Sequence, residues 1–120
     1  MVRFTETLAL ETESFGIDVN AVAPGALLTR LNERLLAAGP EVAGKEFHER
    51  MTTALATGGT PLELGASLCA YLASPASDGV TGKLISAVWD DWRHFTKTSE
   101  QFANKDNYTL RRFVPKEKEG

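Results

Sequence analysis

Scarcity bounds this chain first. One cysteine, Cys69, stands among 120 residues, so no internal disulfide framework is possible and a reducing, cytoplasmic setting is expected. No apolar run approaches the roughly 20 residues that cross a bilayer, and the acidic amphipathic opening lacks the apolar core of a secretory signal. A clustered basic face is also missing. The net charge is -3, and the one basic concentration, Arg111 and Arg112 with Lys116 and Lys118, is diluted by Glu117 and Glu119 and reads as a solvated terminus. Neither nucleic acid nor membrane is an expected partner. His48, beside Glu46 and Glu49, reads as a solvated residue and not as a metal ligand.

What is present reads as one ordinary globular domain, 42% apolar and 24% charged, of a size that buries about two-thirds of its unfolded surface. Met1, Phe4, Leu8 and Phe15 recur at helical spacing with Ala9 beside them, while Arg3, Glu6, Glu11 and Glu13 take other positions. They predict an amphipathic helix ending at Gly16, a natural left-handed terminator. No capping residue stands ahead of Met1, so the sequence reads as starting part-way along a helix. Residues 17–23 are a β-forming apolar run halted by Pro24-Gly25. A buried parallel strand that stops this way offers backbone at its carboxyl end, where open α/β sheets bind ligands.

Residues 26–57 predict two helical pieces, 28–38 and 41–56, separated by Gly39-Pro40. Leu31, Leu35 and Leu36 share a face of the first; Phe47, Met51 and Leu55 share a face of the second. An excursion of this kind between a strand and the next long helix suits a substrate lid. Thr60-Pro61-Leu62-Glu63 predicts a capping box with Pro61 at the first helical position. The helix it opens turns Leu64, Leu68, Tyr71 and Leu72 inward, holds Cys69 as a small buried side chain, and ends around Ser74-Pro75. Asp78-Gly79 marks a turn and residues 83–88 a second strand, completing a βαβ crossover with one helix in front. Residues 89–120 form a polar C-terminal extension, anchored by scattered aromatics (Trp92, Phe95, Phe102, Tyr108, Phe113) and disordered from Lys116 onward.

In this order and spacing, the series is similar to the C-terminal half of a short-chain dehydrogenase/reductase. The matching residues are Phe4-Thr5-Glu6-Thr7-Leu8-Ala9 with Glu11, then Gly16-Ile17-Asp18-Val19-Asn20-Ala21-Val22-Ala23-Pro24-Gly25 and Thr29. Thr60 to Ala66, Tyr71-Leu72-Ala73-Ser74 and Val80-Thr81-Gly82 follow. The resemblance covers residues 1–88 and implies an α/β fold, the C-terminal part of a Rossmann-like doubly wound parallel sheet.

It further implies that Pro24, Gly25, Leu27 and Thr29 border the nicotinamide end of NAD or NADP. Pro24 and Gly25 would let backbone approach the ring, Leu27 would face the carboxamide with its backbone, and the Thr29 hydroxyl would contact the carboxamide or diphosphate. Read without the resemblance, Pro24-Gly25 is a turn and Thr29 a helix cap. The family's Gly-rich phosphate turn, catalytic Ser and Tyr-x-x-x-Lys pair have no counterpart here, since Gly58-Gly59 follows no strand and neither Tyr71 nor Tyr108 has lysine four positions on. The expectation is therefore a truncated NAD(P)-dependent oxidoreductase acting on a small alcohol or carbonyl compound, inactive alone. The alternative is a self-assembling or partner-binding module derived from that fold. Its partner would be a second copy, through Met1, Phe4 and Leu8, or a complementary N-terminal half. Ser86-Ala87-Val88-Trp89-Asp90-Asp91-Trp92 departs from the family's usual ending. Trp89 and Trp92 read there as anchors of the extension ahead of substrate walls, and Asp90-Asp91 as adjacent carboxylates that point apart.

Overall fold

The computed structural model describes residues 1–111; Phe113 and the disorder expected from Lys116 onward lie outside them. Helix α1 (Val2–Thr12) runs into a single 3-10 turn at Glu13–Phe15. Gly16, at φ 67°, closes that turn by donating its N–H to Glu13 O, the left-handed termination expected of this glycine. Strand β1 (Ala21–Ala23) follows, then helices α2 (Arg30–Ala38), α3 (Pro40–Ala43) and α4 (Lys45–Ala56). Helix α5 (Leu62–Leu72) and strand β2 (Leu84–Ser86) complete the crossover. The strands pair in parallel, with Ala21, Val22 and Ala23 opposite Leu84, Ile85 and Ser86. The chain is thus α/β, with the helix–strand order of a partial Rossmann-like sheet.

Both strands are shorter than their apolar runs. Ahead of β1, Val19 gives its N–H to Thr81 Oγ1 at 2.9 Å and accepts from Gly82 N at 2.7 Å. Asn20 bridges Val80 O and Lys83 N through its side-chain amide. The two chains therefore run together before regular pairing starts, tied partly by side chains, which the β pattern of residues 17–23 does not distinguish from a ladder.

Leu68, Val80, Ile85, Ala87, Trp92 and Phe95 form the buried core, with Val22, Leu64, Tyr71, Leu72, Phe102 and Tyr108 packed around it. The inward face expected of α5 is present. Trp92 and Phe95 enter the same core as the βαβ residues. Trp92 donates its indole N–H to Ala87 O at 3.2 Å, and the Tyr71 hydroxyl donates to Phe95 O. Burying a side chain of the size of Phe95 contributes about 1.5–3 kcal/mol, so the extension shares the core with the crossover. Trp89, by contrast, is 88% exposed and anchors nothing among the described residues.

Four local expectations need correction. The capping box does not form: α5 begins at Leu62 with no side-chain cap, and Pro61 precedes it with extended ψ of 136°. Thr60 is engaged elsewhere, its N–H donating to Ala26 O at 2.8 Å and its side chain pressed against Gly25. The segment expected as a lid breaks at Gly44 (φ 88°) as well as at Gly39 (φ 84°), which makes three short helices of the expected two. Cys69 lies on the exposed side of α5, because Leu68 and Gly65 occupy the inward face. Helix α1 also turns the other way round. Thr5 and Ala9 are buried, while Met1 is 95%, Phe4 65% and Phe15 77% exposed. Small residues let the helix approach closely, and a Cβ added at Gly82 would stand 3.4 Å from that of Ala9. The bulky apolar side of α1 is left uncovered, with Leu8 on it half-buried.

Candidate functional site

The segment from Pro24 to Asn32 lies at the carboxyl end of β1 and leads into α2. Its path is dictated at Gly25, which sits at φ 95°. A Cβ there would come within 2.5 Å of Thr60 Oγ1 and 2.9 Å of Val88 Cγ2, so only glycine fits. Pro24 packs against α5 at Gly65, where an added Cβ would meet Pro24 Cβ at 3.2 Å. Thr60 N–H binds Ala26 O, and the loop is thereby pinned between the amino end of α5 and the carboxyl end of β2.

Beyond Gly25 the loop is held by α2. Thr29 is the helix cap: its Oγ1 accepts from Asn32 N at 3.2 Å, and its carbonyl accepts from Glu33 N at 2.9 Å. Capping uses a lone pair of the hydroxyl and leaves its proton free to donate, so the cap does not prevent a contact with a carboxamide or phosphate oxygen. Asn32 also donates Nδ2–H to Leu27 O at 2.8 Å. One residue thus holds both points of the loop, its side chain the peptide at Leu27 and its backbone N–H the hydroxyl at Thr29. Sequence reasoning passed over Asn32; the signal was an amide three residues after a capping Thr, a position suited to hydrogen bonds with a helix-entry loop.

The amides of Gly25, Ala26, Leu27, Leu28 and Thr29 donate to no group among the described residues. Leu27 is half-buried, and Leu28 is 52% exposed. A left-handed glycine, unengaged backbone donors and an uncharged hydroxyl donor together suit an amide oxygen or a diphosphate. Pro24, Gly25, Leu27 and Thr29 lie on this one loop.

The other candidates have local partners. Asp90 accepts from Ser86 N at 2.7 Å, and Asp91 pairs with His94 Nδ1 at 2.9 Å. The adjacent carboxylates serve different turns. Among the described residues no group of three or more His, Cys, Asp or Glu is placed to hold a metal ion, and no helix is long and apolar enough to cross a membrane. A cavity of about 430 Å³ lies away from the loop, at the amino end of β2, lined among others by Glu6, Ala9, Lys83, Phe102 and Arg111.

Comparison with known proteins covers most of the chain. The family model described as Enoyl-(Acyl carrier protein) reductase matches residues 1–87. The chain belongs to the short-chain dehydrogenase/reductase family. It is 33% identical over 89 residues to the uncharacterized oxidoreductase YxbG of Bacillus subtilis, covering 72% of this chain and 32% of that protein. It is 35% identical over 85 residues to dehydrogenase/reductase SDR family member 4 of Caenorhabditis elegans, covering 71% and 32%. A tropinone reductase homolog of Arabidopsis thaliana is 41% identical over 86 residues, covering 70% and 30%. The chain spans about a third of the length of these short-chain dehydrogenase/reductase relatives. No solved structure matches it.

Proposed function

We propose that this stretch supplies the nicotinamide-side loop and the substrate lid of an NAD- or NADP-dependent oxidoreductase that interconverts small alcohols and carbonyl compounds. One observation carries the reading. Pro24-Gly25 ends β1 in a conformation only glycine tolerates and delivers the free Leu27 amide and the Thr29 hydroxyl to the carboxyl end of the sheet, the ligand side of open α/β folds. NAD or NADP, when bound, supplies the hydride chemistry. The residues of this chain bind and orient: Leu27 N–H would hold the carboxamide, Thr29 Oγ1–H an oxygen of the carboxamide or diphosphate, and α2 to α4 would cover the substrate.

Residues 1–120 contain no Tyr-x-x-x-Lys pair and no Gly-rich turn after a strand. On this reading the proton relay and phosphate cradle come from residues outside this stretch, and the 120-residue chain alone does not turn over. The test is reconstitution. Mixed with a separately produced N-terminal half that bears those groups, the chain should restore NAD(P)H-dependent carbonyl reduction, and Thr29→Val in the mixture should weaken cofactor binding. Turnover by the purified chain alone, or reconstitution indifferent to Thr29→Val, would refute the reading.

A second reading is favoured by the uncovered side of α1. Met1, Phe4 and Phe15 share one side of this segment and stand in solvent, an exposed apolar patch of the kind that marks interaction sites. On this reading the chain assembles through α1 with a second copy. Phe4→Ser with Phe15→Ser should then dissociate it in a sedimentation experiment, and unchanged sedimentation would dismiss this route.

A further inference from the structure

The two edges of the sheet are not equivalent. In a parallel pair alternate residues turn their amide groups toward the neighbour and the rest turn outward. Ala21 N donates to Lys83 O, and Ala87 N donates to Ala23 O, so Lys83, Ile85 and Ala87 face β1 while Leu84 and Ser86 face outward. Both outward N–H groups of β2 are nevertheless occupied. Leu84 N donates to Tyr108 O at 2.8 Å, and Ser86 N donates to Asp90 Oδ2 at 2.7 Å.

The acceptor at Tyr108 is held in place by unusual means. Lys83 is buried at 9% exposure, and its Nζ donates to Lys105 O at 3.0 Å and Asn107 O at 2.9 Å, with the Phe102 ring centroid 5.3 Å away. Phe95, Phe102 and Tyr108 pack together with ring centroids 5.0–5.7 Å apart, Phe102 meeting both others edge to face. Beyond them Leu110 N and Arg111 reach Glu6 on α1. Tyr108 itself sits at φ 59°, the one non-glycine residue at positive φ among those described. Side chains with a Cβ adopt that backbone only where the surroundings impose it.

We propose that residues 100–111 are an edge-sealing strap: pinned by Lys83 and completed by Asp90, the strap closes the outer edge of β2 against pairing with another copy of this chain. An open strand edge is a template for sheet extension, and proteins close such edges with covering segments. Here the seal is built from residues that follow β2 and does not depend on the oxidoreductase reading. It confines strand addition to the β1 edge, toward which Val22 turns its amide.

The test uses the 120-residue chain with Lys83→Met, Asp90→Ala and both together. Amide exchange should find Leu84 and Ser86 protected in the parent. Lys83→Met should speed exchange at Leu84 about 10- to 100-fold, and Asp90→Ala should do the same at Ser86, each leaving the other largely protected. The double variant should sediment as larger species than the parent at equal concentration. Exchange at Leu84 and Ser86 as free in the parent as in the denatured chain would overturn the proposal. So would a double variant with both amides open and unchanged sedimentation. Should Lys83→Met abolish cooperative unfolding, Asp90→Ala alone decides: selective opening at Ser86 supports the seal, and no opening refutes it.

Discussion

Replacing Gly25 by alanine is the sharpest test of how the loop is held. Two costs are separable. The first is conformational: at φ 95° an L-residue with a Cβ is strained by about 1–2 kcal/mol. The second is steric, because the new methyl would stand 2.5 Å from Thr60 Oγ1, 3.0 Å from Thr60 Cβ and 2.9 Å from Val88 Cγ2. Forcing a methyl into packed surroundings costs about 1–3 kcal/mol, for a total of about 2–5 kcal/mol. Gly16→Ala is the internal control: its φ is 67°, and nothing lies within 4 Å of an added Cβ, so it should show only the first cost. In urea titrations with m of about 2 kcal/mol/M, Gly25→Ala should lower the midpoint by roughly 1–2.5 M and Gly16→Ala by roughly 0.5–1 M. Thr60→Ala in the same chain should relieve part of the excess, since it removes the nearest atom and leaves Val88 in place. Equal midpoints for the Gly25 and Gly16 variants would refute the packing of the loop between Thr60 and Val88.

Three further outcomes are expected. Asn32→Ala removes the hydrogen bond to Leu27 O and leaves the cap at Thr29 intact; it should cost about 1 kcal/mol and broaden the amide resonances of residues 25–29, whereas unchanged spectra would show that Asn32 does not hold the loop. Tyr71→Phe deletes the hydroxyl that binds Phe95 O and keeps the ring 5.6 Å from Trp92, so a loss of about 0.5–1.5 kcal/mol is expected, and no loss would mean that the extension is fastened by packing alone. The alkaline behaviour turns on Lys83, whose pKa is held below the usual 10.5 by burial, then by Arg111, against the opposing pull of Asp106 and Glu6. The folded chain therefore releases this proton before the unfolded one does, and stability from this group rises as pH climbs from the depressed value toward 10.5. Tyr108, raised above 10.0 by burial and then by Asp90 and Asp91, pulls oppositely, its contribution being complete below 10.0 and lost above. The stability of the parent minus that of Lys83→Met should consequently increase with pH below 10.5, and a flat or falling difference would contradict the burial of Lys83.

Much of the architecture was legible because it rests on local chemistry. Gly16 and Gly39 break helices where their φ values require glycine, and Leu68 and Tyr71 face inward at helical spacing on α5. Pro24-Gly25 and Thr29 fall where the loop needs them. The misses share a cause: each concerns a residue with two chemically adequate partners. Thr60 could have capped α5 through its side chain, but it packs on Gly25 and gives its N–H to Ala26. Met1, Phe4 and Phe15 mark an apolar side of α1, yet close approach at Gly82 selects Ala9 and Thr5 for burial. Asn32 and Lys83 are ordinary polar letters until the loop at Leu27 and the strap at Asn107 come within reach.

The sequence by itself determined the order of helices and strands, the glycine-dependent turns and the family, because these follow from periodicity, backbone sterics and a spaced series of residues. Only the tertiary structure decided which face of α1 is covered, what holds the loop from Pro24 to Thr29 and which sheet edge is closed. Those outcomes depend on contacts between residues as distant in sequence as Glu6 and Leu110, and no local pattern ranks one distant partner above another.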